Sequence, residues 1–242
     1  MEQRLIREGM LIGEDCLKKL NNAHAAVFGL GGVGSWCAEA LARAGIGSIT
    51  LVDCDCFSES NINRQLGAGC STLGRSKTDV IAERIRDISP EIKVFTIPEL
   101  YSAETRNRFF PPQNGEMYSF VADCIDLVSC KLDLIETCHR LSVPIVSALG
   151  TGNKRDAQLL EISDISRTSG CALARVVRKE LRARGIEHTP VVFSPEEPME
   201  ALQLEPPPPG RRSIPGSLVW VPATAGMLMA QYIVEKILKQ ED

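Results

Sequence analysis

The sequence predicts an α/β protein: a doubly wound, mostly parallel sheet with helices on both faces and a C-terminal extension completing the core. Three observations predict it. Short apolar runs alternate with stretches whose apolar residues recur at three- and four-residue steps, the pattern of successive βαβ units. A Gly-x-Gly-x-x-Gly run (Gly29, Gly31, Gly34) directly follows the first apolar run and opens the first helical stretch. The 242 residues suffice for one such sheet with an extension, so we read a single domain over 1–242.

Residues 1–22 read as a polar helical arm, with Arg4 and Arg7 at i, i+3 and Leu5, Met10 and Leu11 offering an apolar side. Residues 23–150 read as a Rossmann-like nucleotide-binding part. Ala25–Phe28 is its first strand. Gly29 permits the bend, Gly31 and Gly32 let backbone N–H groups approach an anion, and Gly34 lets the next helix sit against the sheet. That helix carries Val33, Trp36, Cys37, Ala40, Leu41 and Ala44 on its apolar side, and Gly45 with Gly47 stops it. Ile49–Asp53 is the second strand. Asp53 closes it about 20 residues past the glycines, where a carboxylate can accept ribose hydroxyls.

Ser76-Lys77 begins a second helix with Ile81, Ile85 and Ile88 on one face, and Ser89-Pro90 ends it. Ile92–Ile97 is the third strand, Ser102 is positioned to cap a short helix toward Phe110, and 111–115 is a loop. Ser119–Asp123 is a strand, Leu127–Leu141 a helix and Pro144–Leu149 a strand. The substrate-side extension, 151–242, reads as strand (Gln158–Ile162), basic helix (Leu173, Val176, Val177, Leu181) and strand (Val191–Ser194). A proline-rich mobile loop over 196–213, a strand-like piece (Ser217–Val221) and a helix (Ala223–Lys239) complete it.

Composition narrows the setting. Nine cysteines without secreted-domain spacing, and no signal peptide before them, predict a reducing cytoplasm. No two cysteines stand three apart, so no Cys-x-x-Cys zinc half-site exists. A net charge of −4 excludes a uniformly basic coat but not a local basic patch. Ser213–Val234 is uncharged, yet Pro215, Gly216, Pro222, Thr224 and Gly226 break it, which predicts a buried core element rather than membrane insertion.

The glycines and Asp53 specify a nucleotide and leave NAD(P) or ATP open. A nicotinamide enzyme needs nothing special after Asp53. Here Asp53-Cys-Asp55, Asn61-Ile-Asn-Arg64-Gln65 and Lys77 follow, placing two cations, amides and carboxylates at one binding mouth. Arg and Lys beside a phosphate chain neutralise charge, and Asp suits Mg²⁺, so this set favours ATP over the alternative of an NAD-dependent reductase.

These residues, with Asp123-x-x-Asp126, resemble the adenylating domain of the ubiquitin-activating superfamily. The resemblance implies that Gly32 and Gly34 lie on the phosphates, Asp53 binds ribose, and Arg64 and Lys77 grip the triphosphate. It also implies that Asn61 and Gln65 line the pocket and that Asp126 sits at Mg²⁺ and the reacting carboxylate. Arg7 resembles the arginine that such enzymes lend across a homodimer.

The second half is similar to one branch, the tRNA threonylcarbamoyladenosine dehydratases, through Gly150-Thr-Gly-Asn-Lys-Arg-Asp156, Ala172–Leu181, Val192–Pro198 and Pro215-Gly-Ser-Leu-Val. That resemblance implies ATP-dependent adenylation of the threonyl carboxylate of the modified adenosine, then ring closure with loss of water. A sulfur-transfer partner fits the same superfamily. The competing substrate is the C-terminal carboxylate of a ubiquitin-like sulfur carrier, whose adenylyltransferases typically carry the paired Cys-x-x-Cys ligands absent here. Ser169-Gly-Cys171-Ala172 departs from the branch's expected turn, and we read Cys171 as an inert thiol. For tRNA, Arg175, Arg178, Lys179 and Arg182 on the basic helix form the candidate cationic face, with Arg167 and Arg184 beside it, while Arg211 and Arg212 flank the proline-rich loop.

Overall fold

The computed structural model describes residues 2–112, 115–204, 206–207 and 213–239. Its centre is a seven-stranded sheet in the order β3-β2-β1-β4-β5-β7-β6. The strands are β1 (His24–Phe28), β2 (Ser48–Val52), β3 (Lys93–Ile97), β4 (Phe120–Asp123), β5 (Ile145–Ala148), β6 (Glu161–Asp164) and β7 (Pro190–Phe193). Every pairing is parallel except β6 with β7. β1, β4 and β5 are buried along their whole length, as strands covered on both faces must be.

Among the described residues, seven α-helices connect and cover these strands: α1 (Ile6–Ile12), α2 (Glu14–Asn22), α3 (Gly34–Arg43), α4 (Lys77–Ile88), α5 (Val128–Arg140), α6 (Ala172–Ala183) and α7 (Trp220–Lys239). One apolar core gathers Cys37 and Leu41 of α3, Ile81 and Ile85 of α4, and Met229 and Ile233 of α7. The other lies beneath α5 and α6 and includes Phe28, Tyr101, Phe109, Leu134 and Val177. The order reverses between β1 and β4, which makes the crevice above their carboxyl ends the natural ligand position.

The end of α3 shows why its stop signals work. Gly45 takes φ +82°, its N–H bonds Ala42 O, and Ile46 N–H reaches back to Leu41 O. That is a Schellman closure, which a glycine accommodates without strain. The close crossing of α3 by α7 depends on Gly226, where a Cβ would stand 2.5 Å from Val33 O.

Several expectations shift in the structure. The arm is two helices rather than one, broken at Gly13 with φ +85°. Only Leu5 of its apolar trio is buried, against Gly45, while Met10 and Leu11 are exposed. No helix forms from Ser102 toward Phe110. Thr105 Oγ1 takes the Ser102 N–H, and only a short 3₁₀ turn, Arg106–Arg108, follows. The strand expected over 158–162 begins later, at Glu161, because Asp156 caps a 3₁₀ turn through Gln158 N–H.

The strand-like piece at 217–221 is also absent: α7 starts at Trp220 and runs through Pro222. Proline is harmless there because a first-turn residue has no intrahelical N–H partner to lose. The uncharged stretch is thus largely a core helix, and no helix among the described residues is long and apolar enough to cross a membrane. In α6 the buried face is Ala174, Val177 and Leu181, and Val176 is exposed. Of the loop expected over 196–213, Glu205 and residues 208–212, including Arg211 and Arg212, lie outside the described residues.

Candidate functional site

A cleft of about 840 Å³ opens above the carboxyl ends of β1, β2, β4 and β5. Its floor begins at the glycine turn. Gly29 has φ +87°, and a Cβ there would lie 2.7 Å from Cys124 O, so only glycine fits both the bend and its neighbour. Gly34 starts α3 with its Cα packed on the turn itself, where a Cβ would fall 1.8 Å from Gly29 O. Gly31 differs: the nearest protein atom to an added Cβ is Gln65 Nε2, at 3.8 Å. The space beside Gly31 is therefore not required by the protein's own packing, whereas Gly29 and Gly34 build the turn and Gly34 does not line the cleft.

Asp53 ends β2 and reinforces that turn. Leu30 N–H donates to its Oδ2 at 2.6 Å and Asp55 N–H to its Oδ1 at 2.8 Å. Burial pushes its carboxyl above the usual carboxylate range, against the pull of Lys77 and these two donors. Lys77, the first residue of α4, is buried, and its Nζ reaches Asp55 Oδ2 at 2.9 Å and Asp53 Oδ1 at 3.8 Å. Its backbone N–H bonds Asp55 O at 3.0 Å, so main chain and side chain both tie Lys77 to Asp55.

The Ser58–Gln65 turn supplies the opposite wall. Asn61 Oδ1 accepts Ser58 N–H, and Arg64 Nη1 is held by Ser60 O at 2.7 Å and Asn63 Oδ1 at 2.8 Å. The guanidinium is half-buried, and desolvation lowers its pKa. Trp36 Nε1–H bonds Arg64 O, tying this wall to α3. Gln65 is buried, and its Oε1 has no partner among the described residues, leaving an acceptor unsatisfied beside the cleft.

On the far side, Asp126 lines the cleft and is exposed. Its loop is shaped from below by Asp123, whose Oδ1 accepts Ile125 N–H. The other oxygen meets Lys131 Nζ at 2.7 Å and Ser147 Oγ, all fully or almost fully buried. Asp123 is a support for the loop, and Lys131 and Ser147 carry no sequence signal that separates them from ordinary helix and strand residues.

Every expected nucleotide residue except Gly34 lines this one cleft: Gly29, Gly31, Gly32, Asp53, Asp55, Asn61, Arg64, Gln65, Lys77 and Asp126. Arg7 is exposed on α1 and does not line it, while the neighbouring Arg4 is used internally, donating to Ala42 O. The sequence did not mark Tyr101, Thr151, Leu173 or Ile214–Ser217 as lining residues, although Pro215-Gly-Ser lies in a motif noted above. Proximity there comes from the chain's return, as Asn153 N–H bonds Gly216 O and Gly216 N–H bonds Asn153 Oδ1.

The basic helix divides. Arg175, Lys179 and Arg182 are exposed at i, i+4 and i+7, whereas Arg178 is half-buried and its Nη1 bonds Thr168 O and Oγ1. Arg178 thus braces a loop. Cys171 is buried, and its Sγ accepts Ala174 N–H at the start of α6. An added Cβ on Gly150 would fall 2.3 Å from that sulfur, consistent with a packing role.

Residues 3–242 match the family model described as the ThiF family. The chain belongs to that family. A Bacillus subtilis (strain 168) protein named tRNA threonylcarbamoyladenosine dehydratase is 38% identical, over 99% of this chain and 96% of its own length. A Haemophilus influenzae protein of the same name is 41% identical over 75% of this chain and 68% of its own. Among solved structures, the Escherichia coli tRNA N6-threonylcarbamoyladenosine dehydratase TcdA in complex with ATP aligns with TM-score 0.86 and 34% identity. That alignment covers 97% of this chain and 93% of TcdA. The fold of this ThiF-family chain is therefore the α/β fold that the sequence predicts.

Proposed function

We propose that this protein is an ATP-dependent tRNA threonylcarbamoyladenosine dehydratase that acts on N6-threonylcarbamoyladenosine at position 37 of tRNA. The observation that carries the reading is the convergence of Arg64, Lys77 and Asp126 on the cleft built by the glycine turn. Similarity to proteins of that name over almost the whole chain supports the choice of substrate.

In this reading Gly31 and Gly32 present backbone N–H groups to the phosphates, and Arg64 and Lys77 neutralise the charge that grows as pyrophosphate leaves. Asp53 offers an acceptor to ribose, and Gln65 Oε1 receives a donor from the nucleotide, satisfying a buried acceptor. The substrate carboxylate attacks the α-phosphorus, forming a carboxyl–phosphate bond as the bond to pyrophosphate breaks. The carbamoyl nitrogen attached to the adenine then closes a five-membered ring on the activated carbonyl, its proton passing to solvent, and AMP departs. Net loss of water follows, with its oxygen carried off on AMP. Holding both groups in one cleft makes the second step intramolecular.

Mg²⁺ fits the donor chemistry, because Asp126 presents an exposed carboxylate to the cleft and hard oxygen ligands suit that ion. Bound there, Mg²⁺ would screen phosphate charge. Arg175, Lys179 and Arg182 would meet tRNA phosphates. The arm, with Met10 and Leu11 exposed, would dock on a second copy of the chain and present Arg7 to its cleft. A single adenylating domain over 1–242, a cytoplasmic location and a sulfur-transfer partner complete this reading.

The test is ATP–pyrophosphate exchange, with tRNA carrying the modified adenosine compared against a carrier protein ending in Gly-Gly. Exchange dependent on the modified tRNA supports the dehydratase. Exchange with the Gly-Gly tail alone would make the chain a sulfur-carrier adenylyltransferase.

A further inference from the structure

Two stretches far apart in the chain line the cleft side by side. One is the Ser58–Gln65 turn, which carries Arg64, and the other is the segment 214–217 of the C-terminal extension. That segment is docked on the end of β5. A Cβ on Gly152 would stand 2.9 Å from Pro215 Cβ, and Gly216 and Asn153 exchange two hydrogen bonds. Gln203 holds Ile214 through its N–H at 2.9 Å and its carbonyl at 3.2 Å. Among the described residues one hydrogen bond joins the turn to the segment, from Asn63 Nδ2 to Ser217 O at 3.0 Å.

Asn63 uses both ends of its amide. Oδ1 accepts Arg64 Nη1 at 2.8 Å while Nδ2 donates to Ser217 O. The two ends are not interchangeable, because a guanidinium only donates and a carbonyl only accepts, so turning the amide over would break both bonds. One side chain thus sets the position of Arg64 relative to Ser217, and both of those residues line the cleft.

Arg64 is secured along one edge. Nη1 donates to Ser60 O and to Asn63 Oδ1, and Nε and Nη2 have no protein partner among the described residues. The half-buried guanidinium therefore keeps its remaining donors for an anion. An anion bound there fixes Arg64, which fixes the Asn63 amide and through it Ser217. A ligand resting on 214–217 fixes the same amide from its other end. Order that the first ligand brings about need not be brought about again by the second, which is the condition for positive coupling.

We propose that Asn63 is a positioning residue that couples the two substrates: ATP held on Arg64 tightens the binding of the modified tRNA, and the modified tRNA tightens ATP by the same factor. This rests on the dehydratase reading.

The test measures the affinity of wild type, Asn63→Ala and Asn63→Asp for tRNA carrying threonylcarbamoyladenosine at position 37, with and without a saturating ATP analogue. The analogue has a methylene group between the α- and β-phosphorus and so cannot release pyrophosphate. In wild type it should tighten tRNA binding by about fivefold or more. Asn63→Ala removes both bonds without changing the charge, and the factor should fall near one. Asn63→Asp keeps an acceptor for Arg64 but offers Ser217 no donor, and its factor should also fall near one. Asn63 is exposed, so both variants should keep the wild-type melting temperature. A merely structural asparagine would weaken both ligands and leave the factor as it was, and an unchanged factor in either variant overturns the proposal. So does a wild-type factor of one or below. If wild type with ATP and Mg²⁺ leaves the modified nucleoside unconverted, the dehydratase reading fails, and the proposal with it.

Discussion

Lys131 Nζ lies 2.7 Å from Asp123 Oδ2 at a point where Lys131 is 1% and Asp123 0% exposed, beneath the loop that presents Asp126. Removing one member strands the other charge in the interior, which typically costs about 3–5 kcal/mol. Lys131→Met should lower the free energy of unfolding by that order in a urea titration. A loss under about 1 kcal/mol would mean that solvent reaches the pair.

The glycine turn separates stability from binding. Gly34→Ala puts a Cβ 1.8 Å from Gly29 O, so it should both destabilise the fold and abolish nucleotide binding. Gly31→Ala meets only the tip of Gln65 at 3.8 Å and should keep the melting temperature nearly unchanged. Its ATP affinity should still fall about tenfold or more, because the methyl occupies the approach to the backbone N–H groups. Calorimetry of both variants checks this, and full ATP affinity in Gly31→Ala would move the phosphates elsewhere.

Stability should fall on mild acidification. Burial holds the His24 and His139 imidazoles below their ordinary value of 6.5, with Glu116 partly opposing the effect at His24. Below about pH 6.5 these two side chains therefore bind more protons in the unfolded chain than in the native one, and their contribution to the unfolding free energy decreases as pH drops toward the native pKa values. Urea midpoints at pH 7.5 and 5.5 measure the slope. His139→Gln, which keeps a partner for Thr189 Oγ1, should reduce it, and an unaltered slope would assign the effect to other groups.

The tRNA face is tested on the three arginine and lysine residues that α6 exposes. Replacing Arg175, Lys179 and Arg182 with Gln should weaken tRNA binding and flatten the dependence of log K on log salt by about two to three units, since each phosphate left without its cation removes just under one. An unchanged slope rejects this surface. Arg178 is a poor probe because its guanidinium braces Thr168.

The contrast between Arg175 and Arg178 shows what the sequence could and could not disclose. Period and spacing are local, so the strands, the glycine turn and the position of Asp53 at a strand end were legible, and the motif residues from Gly29 to Lys77, with Asp126 and apart from Gly34, do meet in the cleft. Gly13, Pro222 and Asp156 acted through local backbone geometry that outweighed the apolar pattern, and the boundaries moved accordingly. The partner of a side chain is a long-range property. Nothing in the spacing tells Arg178, bent back onto a loop, from Arg175, or Lys131 from a solvated lysine.

Whether the cleft activates a tRNA carboxylate is read directly by mass analysis of the nucleoside at position 37. Incubating the protein with ATP, Mg²⁺ and modified tRNA should convert threonylcarbamoyladenosine to a product lighter by one water, with AMP and pyrophosphate formed in step. An unchanged nucleoside alongside bound ATP would contradict it.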